Sequence, residues 1–217
     1  MEFDPKLNSK HIYDAFADMQ KRDYDHAEVI LNEGVVLDKN DQDEPLLALL
    51  YSALGVLYKL KKDFRQAWRF YDQAEKLLPD NAVLKLISAR LLIESFNQYD
   101  IALRKMEKVE AQAAADPAIA HQLYAISGLA HAKQGHREKA KAALEALLTA
   151  GFEGLGSAGN IDFKLIEVCI RKGWHKALCD RYLLQALEFA KKTGEEHYIR
   201  LFDRLLKAAQ KAETQVL

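Results

Sequence analysis

The amino-acid sequence predicts an all-α protein, and two observations support this prediction. No stretch shows the alternation of polar and apolar residues that marks a half-buried strand. In addition, one spacing of small and large apolar residues returns about every 34 residues, which is typical of stacked helical hairpins. We therefore expect a right-handed α-solenoid of about eleven helices, with residues 1–217 forming a single domain.

The hairpin expected at 48–81 shows this spacing most clearly. Gly55 and Ala67 are small enough to let its two helices approach closely, and Ala74 lets the next hairpin pack against the second helix. Pro79 cannot continue that helix and therefore ends it. The full pattern comprises Tyr51, Leu54, Gly55, Tyr58, Ala67, Tyr71, Ala74 and Pro79.

Weaker copies of the same spacing precede and follow that hairpin. The repeats are expected at 8–41, 48–81, 83–115 and 121–152. Asp116 and Pro117 introduce the last repeat, because Asp is a good N-cap and Pro suits the first helical position. Beyond it we expect a Gly-rich connector at 151–160. Residues 161–213 should then form a degenerate hairpin that turns at Gly173 and a capping helix, polar on its outer face.

The pattern at 48–81, together with its weaker copies, resembles that of the tetratricopeptide repeat family, and the resemblance covers most of the chain. It implies a superhelix in which the first helix of each hairpin lines a concave face. Concave faces of this kind bind other proteins. The resemblance therefore implies a non-enzymatic interaction scaffold or adaptor that binds a peptide or helix segment.

The family's groove-facing positions, carried over copy by copy, give a mostly apolar row in this chain. The implied groove residues are Ile12, Phe16, Met19, Leu49, Ser52, Val56, Lys59, Leu84, Ile87, Leu91, Glu94, Gln122, Ala125, Leu129 and Ala132. Cochaperone members of the family hold a partner's carboxylate with Lys, Arg and Asn at such positions. Ser52, Val56 and Ile87 offer no charge, so we do not expect binding to the acidic tails of heat-shock chaperones. An apolar groove in water instead favours an apolar partner segment.

Two other functions fit the same pattern. One is self-association, in which the end of the solenoid or a terminal segment of one copy docks on another copy and forms a homo-oligomer. The other is a secretion-type chaperone that shields an apolar client. A simpler interpretation of the groove row is that tight superhelical curvature buries many of these side chains between hairpins.

Composition and charge argue against several other classes. The chain has 49% hydrophobic residues and a formal net charge of -1, so no strong field attracts it to nucleic acid or to a membrane. No apolar run is long enough to span a bilayer. The N-terminus lacks the basic and apolar regions of a secretory signal. We expect a cytoplasmic protein in which Cys169 and Cys179 are reduced core residues.

No catalytic or cofactor-binding constellation is apparent. Gly154, Gly156 and Gly159 give a literal G-x-G-x-x-G, but a nucleotide-binding loop of this kind follows a strand, and no strand is predicted. We interpret the stretch as a flexible connector. The seven histidines form no H-E-x-x-H pair and no cluster with zinc spacing. We therefore expect no enzymatic activity, no cofactor and no metal.

Overall fold

A computed structural model describes the backbone of residues 5–41 and 43–214 and the side chains of residues 10–38 and 43–208. Over these residues every regular element is helical, which confirms the predicted all-α fold class. The α-helices are α1 (Pro5–Lys21), α2 (Tyr24–Asp41), α3 (Glu44–Leu60), α4 (Phe64–Leu77), α5 (Ala82–Ser95), α6 (Tyr99–Glu107), α7 (Glu110–Ala113), α8 (Pro117–Gln134), α9 (Arg137–Ala150), α10 (Lys164–Arg171), α11 (Lys176–Thr193) and α12 (Glu196–Thr214). The short α7 makes the described helices one more than expected.

The helices fall into two compact units. The N-terminal unit comprises residues 1–91 and the C-terminal unit comprises residues 92–217, so the boundary lies within α5. The organisation of residues 1–217 as a single domain stays a prediction.

Aspartate side chains begin several helices. The carboxylates of Asp43 and Asp63 accept hydrogen bonds from backbone N–H groups in the first turns of α3 and α4. Asp116 does the same for α8, and Pro117 is the first residue of that helix, as the sequence predicts. Each cap satisfies backbone donors that have no partner inside the helix.

Five turns close in a common way. At each, a residue just beyond a helix donates its N–H to the carbonyl five positions earlier, and the residue before it has a left-handed backbone. The donor and acceptor pairs, 2.9–3.0 Å apart, are Asp23 and Asp18, Asp63 and Tyr58, His136 and His131, Trp174 and Cys169, and Glu195 and Ala190. The left-handed residues are Arg22, Lys62, Gly135, Gly173 and Gly194. The predicted turn at Gly173 is therefore confirmed.

The N-terminal unit has one main core between α1, α2 and α3. Its buried members are Ile12, Ala15, Met19, Ala27, Leu31, Val35, Leu50, Ala53, Leu54 and Leu57. Gly55 brings α3 against α4, because a Cβ atom placed there would lie 2.4 Å from the Tyr71 ring. This close approach is the one that the sequence predicts for Gly55.

The C-terminal unit packs several helices around α8. Gly128 makes this possible, because a Cβ atom placed there would lie 2.4 Å from Leu165 of α10 and 2.7 Å from Ala143 of α9. Helix α12 packs against α11, and the ring of Phe202 in α12 is fully buried.

The Gly-rich stretch at 151–160 forms two short 3₁₀ turns, Glu153–Leu155 and Ala158–Asn160. We expected a flexible connector, yet Phe152, Leu155 and Ala158 are buried. The Phe152 ring makes a T-shaped contact with the Tyr182 ring of α11 at a centroid distance of 5.1 Å. These contacts anchor the stretch to the body of the C-terminal unit.

Candidate protein-binding site

The predicted groove residues differ widely in exposure. Two are exposed, Phe16 and Leu49. Five are half-buried, and these are Val56, Lys59, Ile87, Glu94 and Gln122. Eight are buried, and these are Ile12, Met19, Ser52, Leu84, Leu91, Ala125, Leu129 and Ala132. Binding by these residues stays a prediction, and the exposures show which of them a partner can reach.

In the N-terminal unit, apolar groove positions on α1 and α3 remain accessible. Phe16 of α1 is 39% exposed and Leu49 of α3 is 52% exposed. Val56 lies two turns further along the same face of α3 and packs on the core while part of it stays exposed. Leu60, which is exposed, ends this helix.

These side chains project from helices that are packed into the main core. Ile12 and Met19, which flank Phe16 on α1, are buried in the main core together with Leu50 and Leu54 of α3. The two helices also contact each other directly. The exposed side chains are therefore held on packed helices, so a partner would not have to order the helix backbones on binding. We call Phe16, Leu49 and Val56 the α1–α3 face.

The corresponding positions of α8 in the C-terminal unit are buried. Ala125, Leu129 and Ala132 are at most 1% exposed. At the start of the same row, the Gln122 side chain donates a hydrogen bond to the Asn160 carbonyl, 3.1 Å away. The side chains of Ala125, Leu129 and Ala132 therefore pack inside the C-terminal unit.

Two of the four predicted groove positions of α5, Leu84 and Leu91, are also buried. Leu84 is buried against Ala48 of α3 and Ala74 of α4. Leu91 is only 1% exposed. A substitution of Leu91 by a charged residue would therefore bury a charge and test folding instead of partner binding.

Two surfaces that the sequence analysis missed also expose apolar side chains. The outer face of α2 borders a groove of about 790 Å³, lined by Asp25, Glu28, Val29, Asn32, Glu33, Val36 and Leu37. In the C-terminal unit, α10 and α12 border a groove of about 300 Å³, lined by Glu167, Ile170, Arg171, Leu205 and Ala208. The spacing of Glu167, Ile170 and Arg171 along one face of the degenerate hairpin's first helix is the signal that could have indicated the second groove.

A polar cluster fixes the end of the α2 face to α3. The Tyr58 hydroxyl donates a hydrogen bond to Glu28, and the Lys61 ammonium lies 3.0 Å from Asp25 and 2.9 Å from Glu28. Burial alone would raise the pKa of Glu28, but the hydrogen bonds from Tyr58 and Lys61 lower it overall. The bond to Glu28 raises the pKa of Tyr58 to about 12.

The Gly-rich stretch does bind an anion, but that anion is a side chain of the protein. The Glu195 carboxylate accepts hydrogen bonds from the Ser157 hydroxyl at 2.9 Å and from the Ala158 N–H. These bonds, with the Ala158 N–H as the largest contribution, lower the pKa of Glu195 below its usual value. The donors of this loop are therefore used to attach it to the start of α12.

Neither a metal site nor a membrane-spanning helix is found among the described residues. No three His, Cys, Asp or Glu side chains there come together as ligands for a metal ion. Among the helices described, none combines the length and the apolarity that a bilayer crossing requires.

Comparisons by sequence and by structure differ. No protein-family model matches the sequence, and no curated protein matches it significantly. Among solved structures, MamA from Desulfovibrio magneticus RS-1, from residue 41 to its end, is 20% identical, with a TM-score of 0.57 over 87% of this chain and 97% of that chain.

Two further structures match over nearly their whole length. PilW, a widely conserved type IV pilus biogenesis factor, is 20% identical, with a TM-score of 0.61 over 94% of each chain. PilF of Pseudomonas aeruginosa is 15% identical, with a TM-score of 0.62 over 97% of this chain and 98% of that chain. These matches support a tetratricopeptide-like fold, that of an α-solenoid of helical hairpins.

Proposed function

We propose that this chain is a non-enzymatic protein-interaction scaffold that binds an apolar peptide or helix segment on its α1–α3 face. The observation that carries the proposal is the exposure of Phe16 and Leu49 at groove positions of a tetratricopeptide-like fold. Covering each of these side chains removes apolar surface from water, which contributes about 1–2 kcal/mol for a side chain of this size.

The chemistry of the face favours an apolar segment over a chain terminus. A carboxylate clamp needs several cationic or amide side chains that converge on one point. Here Ser52 is buried and Leu49 and Val56 are aliphatic, so Lys59 is the single cation among the predicted groove residues of α3. We therefore propose that the ligand contributes apolar anchors at helical or extended spacing.

A displayed random-peptide library tests this proposal without a known partner. Peptides selected on the whole wild-type chain should share apolar anchors, and their affinity is then measured by titration. Leu49→Glu should weaken the selected peptides at least about tenfold, because it places a charge where an apolar anchor docks. Circular dichroism should show unchanged helicity, since Leu49 is largely exposed.

Val83→Glu is the matched control. Val83 is 53% exposed, against 52% for Leu49, and lies in the first turn of α5 outside the predicted groove positions. It should leave peptide affinity unchanged. Peptides that bind Leu49→Glu as well as wild type would reject the α1–α3 face as the binding site.

Self-association is a second candidate, because the α2 face exposes Val29, Val36 and Leu37 together. Apolar patches of this kind often mark protein interfaces. Light scattering coupled to size-exclusion chromatography over a concentration series decides the matter, with Val29→Lys as the interface variant. A mass that stays monomeric at the highest concentration would end this alternative.

The remaining parts of the proposal rest on the sequence. We propose a cytoplasmic location and no role in nucleic-acid binding, since the net charge is only -1. A secretion-type chaperone that shields an apolar client would use the same α1–α3 face, so the peptide selection covers that variant of the function as well.

A further inference from the structure

The two cysteines of the chain face each other across one turn. Cys169 lies in the last turn of α10 and Cys179 in the first turn of α11, and both are fully buried. The two thiols lie close enough that each shifts the pKa of the other. These are the only cysteines in the sequence, so no third thiol of the same chain competes for either one.

The backbone of Trp174 holds this pair in place. Its N–H donates to the Cys169 carbonyl at 2.9 Å, and its carbonyl accepts from the Cys179 sulfur at 3.7 Å. Trp174 itself is half-buried, with the Lys172 ammonium 4.5 Å from the centre of its ring. The turn between α10 and α11 therefore brings the two cysteines together.

The two sulfurs differ in reactivity. The contact with Cys179, helped by the positive charge of Lys172, lowers the pKa of Cys169 despite its burial. The same contact and burial raise the pKa of Cys179. Because the thiolate is the nucleophile, Cys169 is the attacking group and Cys179 the resolving group.

Access to the pair lies through the turn itself. Lys172 and Gly173 are exposed, and His175 has a left-handed backbone with φ of 50°, which is strained for a residue that is not glycine. Opening of this short connection together with the adjoining helical turns would expose both sulfurs, and local openings of this kind cost less free energy than global unfolding.

We propose that Cys169 and Cys179 form an intramolecular disulfide when the folded chain meets a low-molecular-weight disulfide such as glutathione disulfide. The Cys169 thiolate attacks one sulfur of the reagent, which forms a mixed disulfide and releases one thiolate. Cys179 then attacks the Cys169 sulfur and releases the second. Two protein thiols are oxidised, one external disulfide is reduced, and the two thiol protons pass to the released thiolates.

The bond would join α10 to α11. Helix α10 supplies Glu167, Ile170 and Arg171 to the groove that it shares with α12. Cross-linking next to Ile170 would therefore fix one wall of that groove. This inference is independent of the proposed partner binding on the α1–α3 face.

The test uses the full reduced chain, incubated with glutathione disulfide, acid-quenched, unfolded and treated with an alkylating reagent. The expected product has lost both alkylation sites and has a mass lower by about 2 Da, because two hydrogens leave. Peptide mapping should show a link between Cys169 and Cys179. The yield should not depend on protein concentration.

Single variants assign the roles. Cys179→Ala should accumulate a glutathione adduct on Cys169, whereas Cys169→Ala should react several-fold more slowly. Circular dichroism checks that each variant is folded. Equal rates for the two variants would overturn the assigned roles, and disulfide-linked dimers as the main wild-type product would overturn the intramolecular bond.

A urea series separates local opening from global unfolding. Oxidation through the turn should proceed at a nearly constant rate in urea below the unfolding transition, because little surface is exposed. Oxidation through global unfolding should instead accelerate steeply with urea. A steep dependence, or no oxidation of the folded chain under conditions that oxidise the urea-unfolded chain, would overturn the proposal.

Discussion

Helices α3 and α8 are each the first helix of a hairpin, yet the corresponding face is accessible in α3 and buried in α8. In the N-terminal unit, Leu49 and Val56 of α3 stay accessible, whereas Leu129 of α8 in the C-terminal unit is buried. Small residues at the neighbouring groove positions of α8, Ala125 and Ala132, let other segments approach. The register of a repeat therefore fixes which way a side chain points, but its neighbours decide whether a partner can reach it.

The largest expected effect comes from placing one charge on each of these faces. Leu129→Glu should destabilise the C-terminal unit by more than about 4 kcal/mol, because it would bury a carboxylate at a position that is only 1% exposed. Leu49→Glu should change the free energy of unfolding by no more than about 0.5 kcal/mol. Urea unfolding followed by circular dichroism measures both. Similar losses of stability for the two variants would show that the two faces do not differ in burial.

A smaller effect is expected at the left-handed turns. Gly135 has φ of 86° with nothing within 4 Å of an added Cβ atom, so Gly135→Ala tests backbone strain alone. It should cost about 1–2 kcal/mol. Lys62 has φ of 63° in the equivalent turn of the N-terminal unit. Lys62→Gly relieves that strain but adds chain entropy to the unfolded state, so it should stabilise by less than about 1 kcal/mol.

Thermal unfolding of this pair of turn variants provides the measurement. If Gly135→Ala lowers stability and Lys62→Gly raises it or leaves it unchanged, both turns depend on the left-handed backbone of the substituted residue. A clear loss of stability on Lys62→Gly would instead show that the lysine side chain contributes to the turn of the N-terminal unit.

The smallest effect is expected where the Gly-rich stretch is attached to α12. The pKa of Glu195 is lowered in the folded chain, so its contribution to stability is present above its ordinary pKa of 4.5 and is lost as the pH falls through the lowered value. Glu195→Gln should therefore melt at a lower temperature than wild type at neutral pH. The difference between the two melting temperatures should narrow as the pH falls below 4.5.

Hydrogen exchange gives a local readout of the same attachment. The amides of Ala158 and Gly159 should exchange faster in Glu195→Gln than in wild type at neutral pH, while amides within α3 of the N-terminal unit serve as the internal reference. Unchanged exchange at Ala158 would contradict the role given to Glu195.

The sequence predicts much of the local architecture. The all-α class, the close helix approach at Gly55, the cap at Asp116 and the turn at Gly173 all follow from side-chain size, capping chemistry and backbone freedom. These are local properties, and the residues that determine them lie within a few turns of one another.

Exposure of the groove could not be predicted in the same way. The Gln122 side chain donates a hydrogen bond to the Asn160 carbonyl, and Phe152 is buried against Tyr182. These contacts join positions some thirty or more residues apart, and no repeat spacing encodes them. Glycines at 154, 156 and 159 indicated flexibility, whereas the apolar residues between them anchor the stretch.

The five common turns depend little on which side chain stands at the corner. Each turn is closed by main-chain N–H and carbonyl groups, which every residue other than proline supplies. Arg22, Lys62 and Gly135 can therefore stand at equivalent places without altering the bend. A substitution at such a corner should therefore cost less stability than one in the buried interior of the hairpin.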